Sequence, residues 1–148
     1  MDKSPQNNQF REEELISNVR ERFIYLIRLL VINHYGRYKY MEERYGISAR
    51  KWQSMCNRAQ FPTIPMLSEF LIQYPQYASW LLTGAASDGS GQQTDPTKQG
   101  AMNSTALGVI DPTQPGWEEK YDQAEKLVYE DLNKRYEKLN TGQSRSDF

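Results

Sequence analysis

The sequence predicts an all-α protein, and three observations lead to this prediction. A long stripe of apolar residues with helical spacing ends before residue 36. Several shorter helical segments with tight connections follow, up to residue 84. A second amphipathic helix at 117–140 stands behind a segment rich in Gly and Pro. We therefore expect a five-helix domain over residues 10–84, a flexible linker over 85–116 and a C-terminal helix over 117–140.

The first helix is predicted to begin near Phe10 and to end at Gly36. Its apolar positions follow one another at spacings of three and four, which places them on one face of a helix. These positions are Ile16, Val19, Phe23, Leu26, Ile27, Leu30 and Val31.

The stretch from Tyr38 to Pro62 predicts two short helices joined by a tight turn at Gly46 and Ile47. Ser48 is a suitable N-cap for the second helix, because its hydroxyl can accept a hydrogen bond from a first-turn N–H. Trp52, Met55 and Cys56 share the inner face of that helix, at i, i+3 and i+4. The remaining residues of the helix can donate hydrogen bonds to phosphates or base edges. They are Arg50, Lys51, Gln53, Ser54 and Asn57.

Two further helices complete the predicted domain. Thr63 is the expected N-cap of a fourth helix, in which Pro65 is tolerated in the first turn. Pro75 ends that helix, since the residue before a proline avoids the helical region. A fifth helix is predicted from Gln76 to Leu82, followed by Gly84.

The C-terminal helix carries an apolar stripe with the 3.6-residue period of a packed helix. An isolated helix of this length is marginal, so the stripe needs a partner. That partner is either the same helix of a second copy or the N-terminal domain, and we favour a homodimer. The stripe consists of Trp117, Tyr121, Ala124, Val128, Leu132, Tyr136 and Leu139.

The charge of the chain is unevenly distributed. The whole chain has a formal net charge of −1, but residues 20–58 carry nine Lys and Arg against three Glu, a net charge of +6. A concentration of positive charge around a predicted pair of helices is typical of a surface that binds nucleic acid.

Residues 20–84 resemble the lambda-repressor-like helix-turn-helix family of phage repressors. The resemblance rests on Gly46-Ile47-Ser48, Trp52 and Pro62 at the family's spacing, and on the ending Trp80-Leu81-Leu82-Thr83-Gly84. It implies a sequence-specific regulator of transcription of phage or bacterial type, a repressor in the usual case, that binds double-stranded DNA as a dimer. Residues predicted to contact bases are Arg50, Lys51, Gln53, Ser54 and Asn57, and residues predicted to contact phosphates are Arg37, Lys39, Arg44, Ser48 and Arg58.

Other classes of function find little support in the sequence. The 32 residues after Gly116 are too few for the self-cleaving serine–lysine domain that many such repressors carry. No phosphate-binding loop, HExxH motif or catalytic triad pattern is present. One Cys and one His do not supply a structural zinc site. We expect no enzymatic activity, no cofactor, no small-molecule substrate and no membrane span, and a cytoplasmic location.

One alternative remains open at this stage. The same scaffold is compatible with a module that binds a partner protein instead of DNA. Tyr-rich surfaces depleted in charge are typical of protein interfaces. The surface in question would consist of Tyr35, Tyr38, Tyr40 and Tyr45.

Overall fold

The computed structural model describes residues 5–31, 35–86 and 91–146, and the side chains of 8–31, 35–86 and 91–140. These residues form six α-helices and three short 3-10 turns, with no strand among them, so the all-α prediction is confirmed. The helices are α1 (Pro5–Leu30), α2 (Arg37–Tyr45), α3 (Ala49–Cys56), α4 (Ile64–Gln73), α5 (Ala78–Thr83) and α6 (Trp117–Ser146). The chain divides into two compact units, Met1–Asp95 and Pro96–Phe148.

The prediction that Gly36 ends the first helix is wrong. Helix α1 ends at Leu30, and Gly36 lies instead directly before α2, with a φ of 77° that favours glycine. The carbonyl of Val31, just past the end of α1, accepts a hydrogen bond of 3.0 Å from Nε of Arg37. A side chain of α2 thus gives the end of α1 the donor that a helix terminus needs. His34 and its two preceding residues lie outside the described residues.

The helix caps of the first unit follow the predicted chemistry. The hydroxyl of Ser48 accepts from the backbone N–H of Lys51 at 3.3 Å, and that of Thr63 accepts from Met66 at 3.3 Å. Helix α5 is preceded by a 3-10 turn, Pro75–Tyr77, and is followed by Gly84. The side-chain oxygen of Gln93 accepts from the N–H of Ser79 at 2.8 Å, so the chain after α5 returns to cap that helix.

An aromatic cluster forms the centre of the first unit, because four helices each contribute one ring. Phe23 of α1 packs edge-on against Trp52 of α3, with ring centroids 5.9 Å apart, and against Phe70 of α4 at 5.1 Å. Tyr45 of α2 contacts the last two rings at 5.6 and 6.1 Å. Edge-to-face ring pairs add to the stabilisation that burial alone supplies. The cluster therefore fixes α3 against α1 and α2, and Phe70 joins both of these helices to α4.

Because the phenol of Tyr45 is buried, we expect the first unit to lose stability at alkaline pH. Burial, followed by the neighbouring Tyr74 and Tyr40, raises the pKa of Tyr45 to about 12 from 10.0. The unfolded chain loses this proton first, so the contribution of Tyr45 to folding is constant below pH ~10 and falls as the pH rises towards ~12. We expect the parent to lose about 2–3 kcal/mol more than Tyr45→Phe over this window. Urea unfolding of both proteins between pH ~8 and ~12 measures the difference, and parallel pH profiles would contradict it.

The second unit includes part of the predicted linker. Residues 96–116 fall within the range predicted to be flexible, yet they contain two 3-10 turns, Pro96–Lys98 and Ala101–Asn103. The second turn packs on α6, and Met102 and Ile110 are buried. The amide of Asn103 donates to the carbonyl of Pro96 and accepts from the N–H of Ile110. The apolar side chains of this Gly-containing segment are widely spaced and follow neither the helical nor the strand period. For this reason the sequence did not predict that the segment folds.

Helix α6 buries only the first part of its predicted stripe. Trp117, Tyr121 and Ala124 are buried, with the first two rings edge-on at 6.2 Å. Leu132, Tyr136 and Leu139 are 52, 66 and 67% exposed. The helix also extends to Ser146, six residues past the predicted end.

Within the described residues, the structure shows no helix that is both long enough and apolar enough to span a membrane.

Candidate nucleic-acid interface

The candidate interface is built on α3 and the turn before it. Gly46 ends α2 with a φ of 73°, a conformation that lets the chain turn at once towards α3. The carboxylate of Glu42 accepts from the N–H of Ala49 at 3.2 Å, in addition to the cap that Ser48 provides. Two oxygens therefore fix the start of α3. The contribution of Glu42 was missed from sequence, because it lies seven residues before its partner.

Helix α3 separates an apolar inner face from a polar outer face. The side chains of Trp52 and Met55 are fully buried. Cys56, expected on the same inner face, is only half-buried, and it forms no disulfide. This division determines which residues a ligand can reach.

Four of the five predicted base-contacting residues are exposed on the outer face: Arg50, Lys51, Gln53 and Asn57. The fifth, Ser54, is half-buried, and its carbonyl accepts from the backbone N–H of Ala59. The exposed set supplies two cations and two side-chain amides within two turns of helix. Such donors match the acceptors that bases present in the major groove.

Four of the five predicted phosphate-contacting residues are exposed, Arg58 included, and Arg37 is not. Lys39, Arg44 and Ser48 are exposed, with Nε of Arg44 donating to the side chain of Gln73 at 3.0 Å. Arg37 is half-buried. Its Nε donates to the carbonyl of Val31, and its Nη2 is buried without a hydrogen-bond partner. Its guanidinium therefore acts within the fold.

Arg58 is held by an acidic residue that the sequence did not single out. Its Nε and Nη2 donate to the carboxylate of Glu21 at 2.9, 3.0 and 2.7 Å. Bidentate pairing of this kind is geometrically specific and neutralises the guanidinium. The backbone of Arg58 has a φ of 64°, and its carbonyl lies 3.5 Å from Nη1 of Arg20. Arg20 in turn stacks over the ring of Phe61 at 4.7 Å. These contacts join α1 to the chain after α3.

Not all four tyrosines of the alternative interface are exposed. Tyr45 is in the aromatic core, and Tyr38 is half-buried. Tyr35 and Tyr40 are exposed, by 91 and 46%. The described part of the first unit thus presents two of the four rings to solvent.

Comparison of this chain with protein-family models, with curated proteins and with solved structures gives no match.

Proposed function

We propose that the first unit is a lambda-repressor-like helix-turn-helix domain that binds double-stranded DNA in a sequence-specific manner. The protein would regulate transcription, as a repressor when its site overlaps a promoter, and would bind as a dimer. One observation carries this proposal. Helix α3 buries Trp52 and Met55, while its residues Arg50, Lys51 and Gln53 and its C-cap residue Asn57 are exposed.

The size and chemistry of α3 suit the major groove. The groove is ~12 Å wide and admits one α-helix, whose outer side chains then face the base edges. Arg50 and Lys51 would donate to guanine, while Gln53 and Asn57 have the bidentate amide that recognises adenine. Lys39 and Arg44 on α2 would contact the phosphates beside the groove, which positions the helix without reading sequence.

The surface charge supports the same proposal. Residues 20–58 have a net charge of +6, and Lys39, Arg44, Arg50 and Lys51 are exposed cations within that range. Clustered cations attract DNA regardless of its sequence and release its condensed counterions.

We therefore expect binding to duplex DNA that weakens steeply with salt. If the complex neutralises ~6 phosphates, log K falls against log salt with a slope of about −5, or about 10³-fold between ~50 and ~200 mM. Fluorescence anisotropy with DNA selected from a random pool measures the slope. A flat response, or no selected sequence, would overturn the proposal and favour a protein partner.

Substitutions separate base contacts from phosphate contacts in the same assay. Arg50→Ala or Gln53→Ala should weaken the binding free energy by about 1–3 kcal/mol on the selected site and by much less on random DNA. Lys39→Ala should weaken both and reduce the salt slope by about 1. The control removes both partners of the Arg58–Glu21 ion pair in the double variant Glu21→Ala with Arg58→Ala, which leaves the net charge unchanged, so the slope should change less. Equal losses on both DNAs for all four variants would contradict base recognition by α3.

A further inference from the structure

The second unit contains an open groove that the chain itself leaves unfilled. One wall is the segment around the second 3-10 turn, from Ala101 to Ala106, and the other is α6. The groove has a volume of about 480 Å³. Leu127, Val128 and Leu132 give its α6 wall an apolar character, and Asp131 and Arg135 also line it.

The exposed end of the α6 stripe begins where this groove ends. Leu132 belongs to both features, and Tyr136 and Leu139 continue the stripe towards the C-terminus. An apolar groove and an exposed apolar ridge therefore lie in sequence along one helix. Two copies of such a helix are complementary only when they run antiparallel, because each ridge then faces the groove of the other copy. A two-fold axis relates the two contacts, as in an isologous dimer.

The charges of α6 favour the same orientation. Residues 122–131 carry four acidic side chains and one Lys, a net charge of −3, whereas residues 133–140 carry three basic side chains and one Glu, a net charge of +2. A parallel pair would place acid against acid and base against base. An antiparallel pair places the acidic part of each helix beside the basic part of the other, which favours encounter and fixes orientation.

We propose that α6 pairs antiparallel with α6 of a second copy of this chain, with Tyr136 and Leu139 of each copy seated in the groove of the other. This pairing rests on the proposed function for its role, since it supplies the dimer that DNA recognition requires. It also assigns a task to residues 96–116, whose folded turn forms one wall of the groove.

Sedimentation velocity on the full chain at tens of micromolar tests the association. The parent is expected to be a dimer. Leu132→Glu is expected to raise the dissociation constant of the dimer at least ~10-fold and so to shift the protein to the monomer. Asn133→Glu is the matched control, because it adds the same charge on an exposed position of another face of α6. A monomeric parent, or a Leu132→Glu protein that dimerises as well as Asn133→Glu, would overturn the pairing.

Disulfide cross-linking tests the orientation and does not depend on the Leu132 variant. In a Cys56→Ser background, chains with Ala106→Cys and larger, tagged chains with Leu139→Cys are mixed and oxidised. The antiparallel pair predicts much more mixed disulfide than the two homodisulfides together, which is the amount that random pairing of equal quantities of the two chains would give. Preferential cross-linking of Leu139→Cys with itself would overturn it in favour of parallel helices.

The pairing and DNA binding can fail separately. A monomer that binds one half-site with a steep salt dependence would overturn the pairing and leave the DNA-binding proposal in place. A cross-linked antiparallel dimer that binds no DNA would overturn the DNA-binding proposal and leave the pairing in place.

Discussion

Replacing Trp52 by Ala is expected to destabilise the first unit by about 3–5 kcal/mol. The indole is fully buried and contacts the rings of Phe23 and Tyr45, so its removal leaves a cavity where α1, α2 and α3 meet. At about 4–8 °C per kcal/mol for a domain of this size, the melting temperature should fall by tens of degrees. Differential scanning calorimetry and urea unfolding of the full chain measure the change.

Trp52→Phe is the control for this experiment. It keeps a ring in the cluster and removes the indole N–H, which is buried and has no hydrogen-bond partner. We expect the free energy of unfolding to fall by only about 1–2 kcal/mol, because the removal of an unsatisfied donor offsets part of the lost packing. DNA binding by Trp52→Phe should survive at temperatures where the protein is folded. A Trp52→Ala protein that melts like the parent would mean that α3 faces the other way, and the proposed base contacts would then be wrong.

Ending the chain after Asp95 is expected to lower affinity for a palindromic site by about 10²–10⁴. The cut removes the second unit and with it the proposed dimer contact. Once one first unit has bound its half-site, a second one is then no longer held nearby at a high effective concentration. Affinity for a single half-site should change little. Anisotropy titrations on palindromic and half-site duplexes measure both quantities, with sedimentation velocity on the same samples.

The position of the cut provides the control. The first unit ends at Asp95, and its residues Gln93 and Thr94 form hydrogen bonds with Ser79 and Gln76. A chain ending at residue 91 should therefore be less stable than one ending at 95, because α5 loses its cap. A 1–95 fragment that dimerises like the parent would assign dimerisation to the first unit instead.

Much of the first unit is predictable from local sequence. The caps of α3 and α4 follow from Ser48 and Thr63, whose hydroxyls act within three residues of themselves. The buried positions of α3 follow from the spacing of Trp52 and Met55. Ile64 shows the limit of this method, since it is 76% exposed although it begins the apolar α4. A first-turn residue can point away from the core whatever its hydropathy.

The sequence by itself determined the all-α class, the turn at Gly46, the caps and the inward face of α3, because each depends on residues within one or two helical turns. Only the tertiary structure decided which cations have partners within the fold. The pairing of Arg58 with Glu21 spans 37 residues, and Arg37 turns inward to the carbonyl of Val31. It also decided that the turn Ala101–Asn103 packs on α6 and that Leu132, Tyr136 and Leu139 stay exposed. Such contacts depend on which distant segments meet in space, and no periodicity along the chain encodes that.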